Sequence, residues 1–318
     1  MTFKLFAAAL CCAAQTAWAD IPEKLEAAFQ GWVADVGADA AVMTVWQKGQ
    51  YHRDVAIGME ANAPVELASL SKAVTALCAA HLIEIGDWTA ETTSLSVLGY
   101  GPDALTVGAL MTHSAGLGPD DTQGQMPIWL DTQADRSADA AATALTRTPQ
   151  TAKIGSYAYN NENYAVLAAM ISAQTGEPHT TYCKDNVLSA AGATTAMPSD
   201  RTASMAGWGG WKMSVQDYAR LMHWAYGPEG RIGSAPQDWP QADMGGGAFY
   251  GVGMTQRAFQ GSMNYRHFGA LCFPGRMNVG TYAVSWMTDW RVVVFYDRCL
   301  PWEDMVRLDN VLAAAVFQ

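Results

Sequence analysis

Charge is scarce in this 318-residue chain: 19 Lys and Arg stand against 30 Asp and Glu, 15% of the residues, for a formal net charge of −11. An acidic chain without basic clusters is repelled by phosphate backbones, so nucleic acid is not an expected partner. Cysteine is sparse as well, and none of the six forms a C-x-x-C pair, which removes support for a structural zinc site. His52, His81, His179 and His223 lack metal-like spacing and H-E-x-x-H is absent, so neither a metal nor another cofactor is expected. G-x-S-x-G, the nucleophile elbow of α/β-hydrolases, is missing too. Beyond the first residues no segment is apolar and uncharged for the roughly 20 residues that a bilayer span needs. What remains is a chain that is 50% hydrophobic, enough for a substantial core in one large domain or two interlocked ones.

The amino-terminal residues carry a separate message. Lys4 precedes an apolar and small run from Leu5 to Ala14, and Ala17-Trp18-Ala19 closes it. That is the pattern of a cleaved secretory signal peptide over 1–19, which places the mature chain in the periplasm or outside the cell without a membrane anchor. Leu10 lies directly before Cys11 rather than three residues before a cysteine, against a lipoprotein. Removal of Lys4 with the signal takes the net charge from −11 to −12. Four cysteines are left, and an exported chain permits disulfides. Cys272 and Cys299, each closing a strand-like segment, are the expected pair; Cys78, in an apolar helix, reads equally as a buried free thiol, and Cys183 is unassigned.

Periodicity organises the remainder. Ile21, Leu25, Phe29, Trp32, Val33 and Val36 share one helical face. Strand-like runs follow near 41–47 and 51–59, joined at Lys48-Gly49, and others lie near 265–271, 281–287 and 291–296. Between them, from about Ser69 to Tyr226, the chain reads as Ala- and Leu-rich helices broken at Gly86, Gly116, Gly176 and Gly192, and a last amphipathic helix spans 302–317. The simplest packing pairs the N- and C-terminal strands into one antiparallel sheet covered by the two terminal helices. A second, all-helical lobe then leaves a cleft for a ligand.

Chemistry concentrates at Ala68-Ser69-Leu70-Ser71-Lys72, and Lys72 is the only lysine with a serine three positions before it. Three residues is nearly one helical turn, so Ser69 and Lys72 share a face. A helix N-terminus adds free N–H groups and a positive dipole end. Base and oxyanion donors are the parts that acylating a serine needs. Ala73, Val74, Leu77, Cys78, Ala80, Leu82 and Ile83 make this helix apolar nearly all round, which should desolvate Lys72 and lower its pKa. S-x-x-K alone is equally an ordinary helix cap with a surface lysine.

Two further elements follow in order. Tyr159-Asn160-Asn161 resembles the Y-x-N element, and His267-Phe268-Gly269 an H-x-G variant of the third element, of the penicillin-recognising serine hydrolases: class C β-lactamases, D-alanyl-D-alanine carboxypeptidases and related esterases. Leu110 to Leu117, Asn163-Tyr164 with Leu167, Gly209-Gly210 with Ser214 and Asp217, and Tyr250-Gly251-Val252-Gly253 are similar to that family's intervening segments. The resemblance implies an α/β fold of the α+β type, β-lactamase/transpeptidase-like. It would have a five-stranded antiparallel sheet flanked by terminal helices (about 20–66 and 236–318) and an all-helical lobe (about 67–235).

The resemblance also implies roles. Ser69 would attack the carbonyl while Lys72 and Tyr159 act as base and proton shuttle. Asn161 would bind the substrate's amide side and help hold Lys72, and His267 and Gly269 would line the opposite wall. The backbone N–H groups of Ser69 and Ala270 would form the oxyanion hole. The partner is then a small-molecule or peptide substrate: a β-lactam, a D-amino-acid peptide or a carboxylic ester. His113 reads as holding its loop, Ser214-x-x-Asp217 as a capping box, and Trp208 and Trp211 as cleft lining or lobe packing. His267 and Ala270 stand where lysine and a hydroxyl would grip a substrate carboxylate, which weakens that contact unless His267 is charged. A non-catalytic relative binding cell-wall peptides or a partner protein is the alternative, but it would have no need of a serine–lysine pair.

Overall fold

The computed structural model describes residues 21–147, 149–150, 153–259, 261–286 and 290–318. The expected signal peptide and Met287, the end of one expected strand, lie outside them. Helix α1 (Ile21–Val36) leads into strands β1 (Ala41–Gln47) and β2 (Gln50–Ile57). Short β3 (Val65–Glu66) and a 3₁₀ turn (Ala68–Leu70) precede α2 (Ser71–Glu84). A helical stretch follows: α3 (Ser94–Leu98), α4 (Val107–Met111), α5 (Thr122–Trp129), α6 (Ser137–Leu145), α7 (Glu162–Thr175) and α8 (His179–Cys183). After β4 (Met197–Pro198), β5 (Trp211–Met213) and α9 (Val215–Tyr226) come β6 (Ala242–Gly245), β7 (Ala248–Gly251), β8 (Met254–Phe259), β9 (Ser262–Phe273), β10 (Met277–Ser285), β11 (Trp290–Tyr296) and α10 (Trp302–Phe317).

The N- and C-terminal strands pair as expected, β1 against β11 from Ala41↔Tyr296 to Gln47↔Trp290. The sheet is wider than expected. It has eight strands in the order β2-β1-β11-β10-β9-β8-β7-β6, not five, and a separate three-stranded sheet orders β3-β5-β4. Of the extra strands, β6 and β7 have four residues each and meet at Gly245, Gly246 and Gly247, so they carry almost no alternating pattern. The small sheet joins segments more than a hundred residues apart, such as Val65 and Met213.

Helices on both faces explain why the central strands are buried and mostly apolar: β11 has a single residue that is not buried. On one face α1 and α10 pack Phe29, Trp32, Leu308 and Leu312 against Tyr296 and Val294. Trp32 Nε1 also donates to Asp304 O at 3.1 Å, tying the two helices together. On the other face α2 is buried on nearly every side, as its all-round apolar sequence requires. Two disulfides, Cys78–Cys183 and Cys272–Cys299, have Cα separations of 5.5 and 5.6 Å, inside the range a bridge needs. The second is the expected pair. The first corrects the reading of Cys78 as a free thiol, because α8 brings Cys183 alongside α2. Among the described residues no helix is long and apolar enough to cross a membrane.

Strand β9 carries one wall of the cleft. It pairs with β10 along nearly its whole length, but with β8 only from Ser262 to Arg266. From His267 onward no described strand covers that edge.

Candidate active site

Several hydrogen bonds fix the start of α2. Leu67 N donates to Trp211 O (2.9 Å), Trp211 N to Ser71 Oγ (3.1 Å), Tyr218 Oη to Leu70 O (3.1 Å) and Thr75 Oγ1 to Gly207 O (2.7 Å). Thr281 Oγ1 on β10 donates to Leu67 O at 2.9 Å, joining this turn to the large sheet. Ala68, immediately before Ser69, is held at φ 48°, a left-handed conformation that costs a non-glycine residue energy and that the surrounding bonds impose. Gly269 permits the strand to pass beside it. A Cβ there would stand 2.9 Å from Ser69 N and 3.0 Å from Leu67 O, and would collide with Thr281 Oγ1.

Lys72 is fully buried, with Nζ 3.1 Å from Ser69 Oγ and donating to Trp208 O at 2.9 Å. Burial drives its pKa down from 10.5 to about 7, and the negative charge of Asp120 opposes the drop only in part. The Tyr159 ring lies 4.9 Å from Lys72 Nζ, and the phenol interacts with the Ser69 side chain. Although 42% of Tyr159 is exposed, desolvation of its hydroxyl end holds the phenol well above its usual range, so it keeps its proton.

Asn161 opens α7. Its backbone N–H donates to Asp120 Oδ2 (3.0 Å) and its side-chain amide to Thr122 Oγ1 (3.1 Å). The amide is thus held from the α5 side, while the anchors of Lys72 are Ser69 and Trp208 rather than Asn161.

His267 is buried between two bonds, Nδ1 to Phe268 O at 2.6 Å and Nε2 to Tyr250 Oη at 3.0 Å. A carbonyl only accepts, so Nδ1 carries the proton and Nε2 accepts from the phenol. Burial, followed by the positive charge of Lys72, lowers the His267 pKa to about 3. The ring is therefore neutral at physiological pH, so the condition under which His267 could stand in for lysine is not met.

Ser69, Tyr159, Asn161, His267 and Ala270 all border one cavity of about 560 Å³, with Lys72 beneath it and Gly269 against Ser69. The seven residues expected at a site thus come together. His113 grips the Tyr159 loop twice: its carbonyl accepts from Ala158 N (2.8 Å) and its Nδ1 from Asn160 N (3.3 Å), with its ring 4.3 Å from that of Tyr159. Ser214 caps α9 by accepting from Asp217 N (3.2 Å). Trp208 borders the cavity, whereas Trp211 is wholly buried.

Tyr250, Asp120 and the Trp208 carbonyl were not anticipated. Tyr250 had a signal in the Tyr250-Gly251-Val252-Gly253 segment, noted there only for its likeness to an intervening segment of the family. Backbone carbonyls carry no sequence signal at all. Among the described residues no His, Cys, Asp and Glu cluster could hold a metal.

A family model described as Beta-lactamase matches residues 25–296. No curated protein sequence matches the chain. Among solved structures, a beta-lactamase from Sulfitobacter sp. EE-36 is 16% identical with a TM-score of 0.75, covering 93% of this chain and 98% of that one. A class C beta lactamase from Rhodobacter sphaeroides is 17% identical (TM-score 0.73; 93% and 99% covered). A D-amino acid amidase from Ochrobactrum anthropi SV3 is 14% identical (TM-score 0.72; 93% and 99% covered). At such identities the structural likeness is one of fold.

Proposed function

The chain belongs to the Beta-lactamase family, and from that premise we propose that it is an exported serine hydrolase acting through an acyl-enzyme on Ser69. One observation carries the reading: an amine buried to a pKa of about 7 lies 3.1 Å from a serine hydroxyl at a helix start. Near neutrality much of Lys72 is unprotonated. One of its N–H groups is engaged by Trp208 O, leaving its lone pair to take the Ser69 proton.

Ser69 Oγ then bonds the substrate carbonyl carbon, and the oxyanion meets the backbone N–H groups of Ser69 and Ala270. Tyr159, protonated at rest, gives its phenol proton to the leaving group and takes the one held on Lys72 in exchange. The bond to that group breaks, and water hydrolyses the acyl-enzyme by the reverse relay. The open edge of β9 beyond His267 offers main-chain groups to an extended substrate.

Esters and amides without a carboxylate at the His267 wall are the favoured substrates. His267 is neutral there, and the guanidinium of Arg266 is already paired with Asp309. The D-amino acid amidase and the D-stereospecific amidohydrolase among the structural neighbours, named for amide substrates, fit that preference. Two disulfides support export to an oxidising compartment. Intact-protein mass spectrometry after a fluorophosphonate probe tests the reading: one adduct is expected on the wild type and none on Ser69→Ala. An unmodified wild type would refute it.

A further inference from the structure

Beside the Ser69 cavity lies a second one, of about 540 Å³, between the C-terminal half of α10 and the face of β7–β10 that the terminal helices leave uncovered. Phe259 of β8, Val284 of β10, Trp286, and Ala313 and Phe317 of α10 form its apolar part, while Arg257, Asn264 and the Arg266–Asp309 pair line the rest. Phe317 packs edge-on against Trp286 with centroids 6.1 Å apart. The two cavities are neighbours: Ala248, Thr255 and Arg266 border both.

Exposed apolar bulk follows the same path. Of the twelve large hydrophobic side chains exposed on the described surface, Tyr159, Met244 and Trp302 border the Ser69 cavity and Phe259 and Phe317 border the groove. An apolar patch running out of a cleft marks a place where something binds. The neck carries no net charge: Arg266 is paired with Asp309, which Tyr282 Oη also holds.

We propose that this groove receives an aliphatic extension on the leaving-group side of the substrate, an uncharged alcohol or amine chain; the inference rests on the hydrolase reading above. Direction follows from the proton relay. The leaving group is protonated at Tyr159, whose ring lies 6.1 Å from that of His267, and Arg266, beside His267 on β9, borders both the cleft and the groove. Reach follows from strand geometry. Gly269, against Ser69, and Arg266 are three residues apart, roughly 10 Å at the usual rise. Short leaving groups therefore end inside the cleft, and only longer chains enter the groove.

The test varies the alcohol of acetyl esters (ethyl, butyl, octyl) and follows acetate release. Octyl acetate is expected to exceed ethyl acetate in kcat/KM by about tenfold or more, given the methylenes it buries. Ala313→Trp, which fills the groove, and Phe259→Glu, which puts a charge on its exposed rim, should remove that advantage and leave ethyl acetate within about twofold. Two variants guard against one that fails to fold. Calorimetric titration of octyl acetate into Ser69→Ala separates groove from catalysis. Binding that Phe259→Glu abolishes supports the groove even if no ester is hydrolysed, an outcome that would sink only the hydrolase reading. A flat chain-length profile, an octyl advantage surviving both variants, or absent binding to Ser69→Ala overturns the proposal. So would a dimer in sedimentation that Phe259→Glu dissociates, because the groove would then belong to a second copy.

Discussion

Lys72 can act as a base near neutrality only because it is buried, and that makes its titration the sharpest test of the site. The fall from 10.5 to about 7 corresponds to roughly 5 kcal/mol of disfavoured ammonium. Asp120 is the one carboxylate that works against the fall, favouring the charged form. The rate of Ser69 acylation by an uncharged fluorophosphonate should rise with pH through a midpoint of about 7 and level off above it. In Asp120→Asn the opposing charge is gone, so Lys72 should lose its proton more readily and the midpoint should move down by roughly half to one unit. Pseudo-first-order labelling between pH 5 and 9, read by intact mass, measures both curves. A wild-type midpoint near 10 would mean that Lys72 is hydrated. An upward shift in Asp120→Asn would mean that the electrostatic account has the wrong sign. Stability obeys the same linkage: between the two pKa values the unfolded chain binds the proton and the native chain does not. The native state therefore gains stability as pH rises from about 7 toward 10, and loses that gain as pH falls back through 7.

Three further outcomes are expected. Gly269→Ala should slow acylation about 100-fold with little change in far-UV circular dichroism, because its Cβ would press on Ser69 N and Thr281 Oγ1; an unchanged labelling rate would refute that role. His267→Lys should raise kcat/KM for a carboxylate-bearing D-dipeptide relative to its C-terminal amide by about tenfold, roughly one charge-assisted hydrogen bond. An unchanged ratio would show that the His267 wall does not face that group. Replacing both Cys78 and Cys183 by alanine should cost up to about 4–5 kcal/mol in urea unfolding, since the bridge closes a separation of 105 residues; a loss under about 1 kcal/mol would show that α2 and α8 hold together without it.

The site was largely legible beforehand because its key pair is local. Ser69 and Lys72 meet by helical spacing, and the helix that begins there is apolar on nearly every side, as a buried helix must be. Tyr159 and His267 carried no such local signal, and only their likeness to known elements pointed to them. The short strand β6 escaped because four residues ending in glycine have no period to read. The charge of His267 was left open for a related reason. Its type allows either charge state, and the choice depends on its burial and then on the charge of Lys72, which is remote from it in sequence.

Periodicity and near neighbours suffice for the two terminal helices, the pairing of the first and last strands into one sheet, and the serine–lysine spacing, so each of these was readable from the order of residues. The width of the sheet, the Cys78–Cys183 bridge, the carbonyl that anchors Lys72 and the neutrality of His267 emerged only on folding. Each of those depends on which distant groups share a small, dry volume, and desolvation is a property of the packed neighbourhood, not of any residue in it.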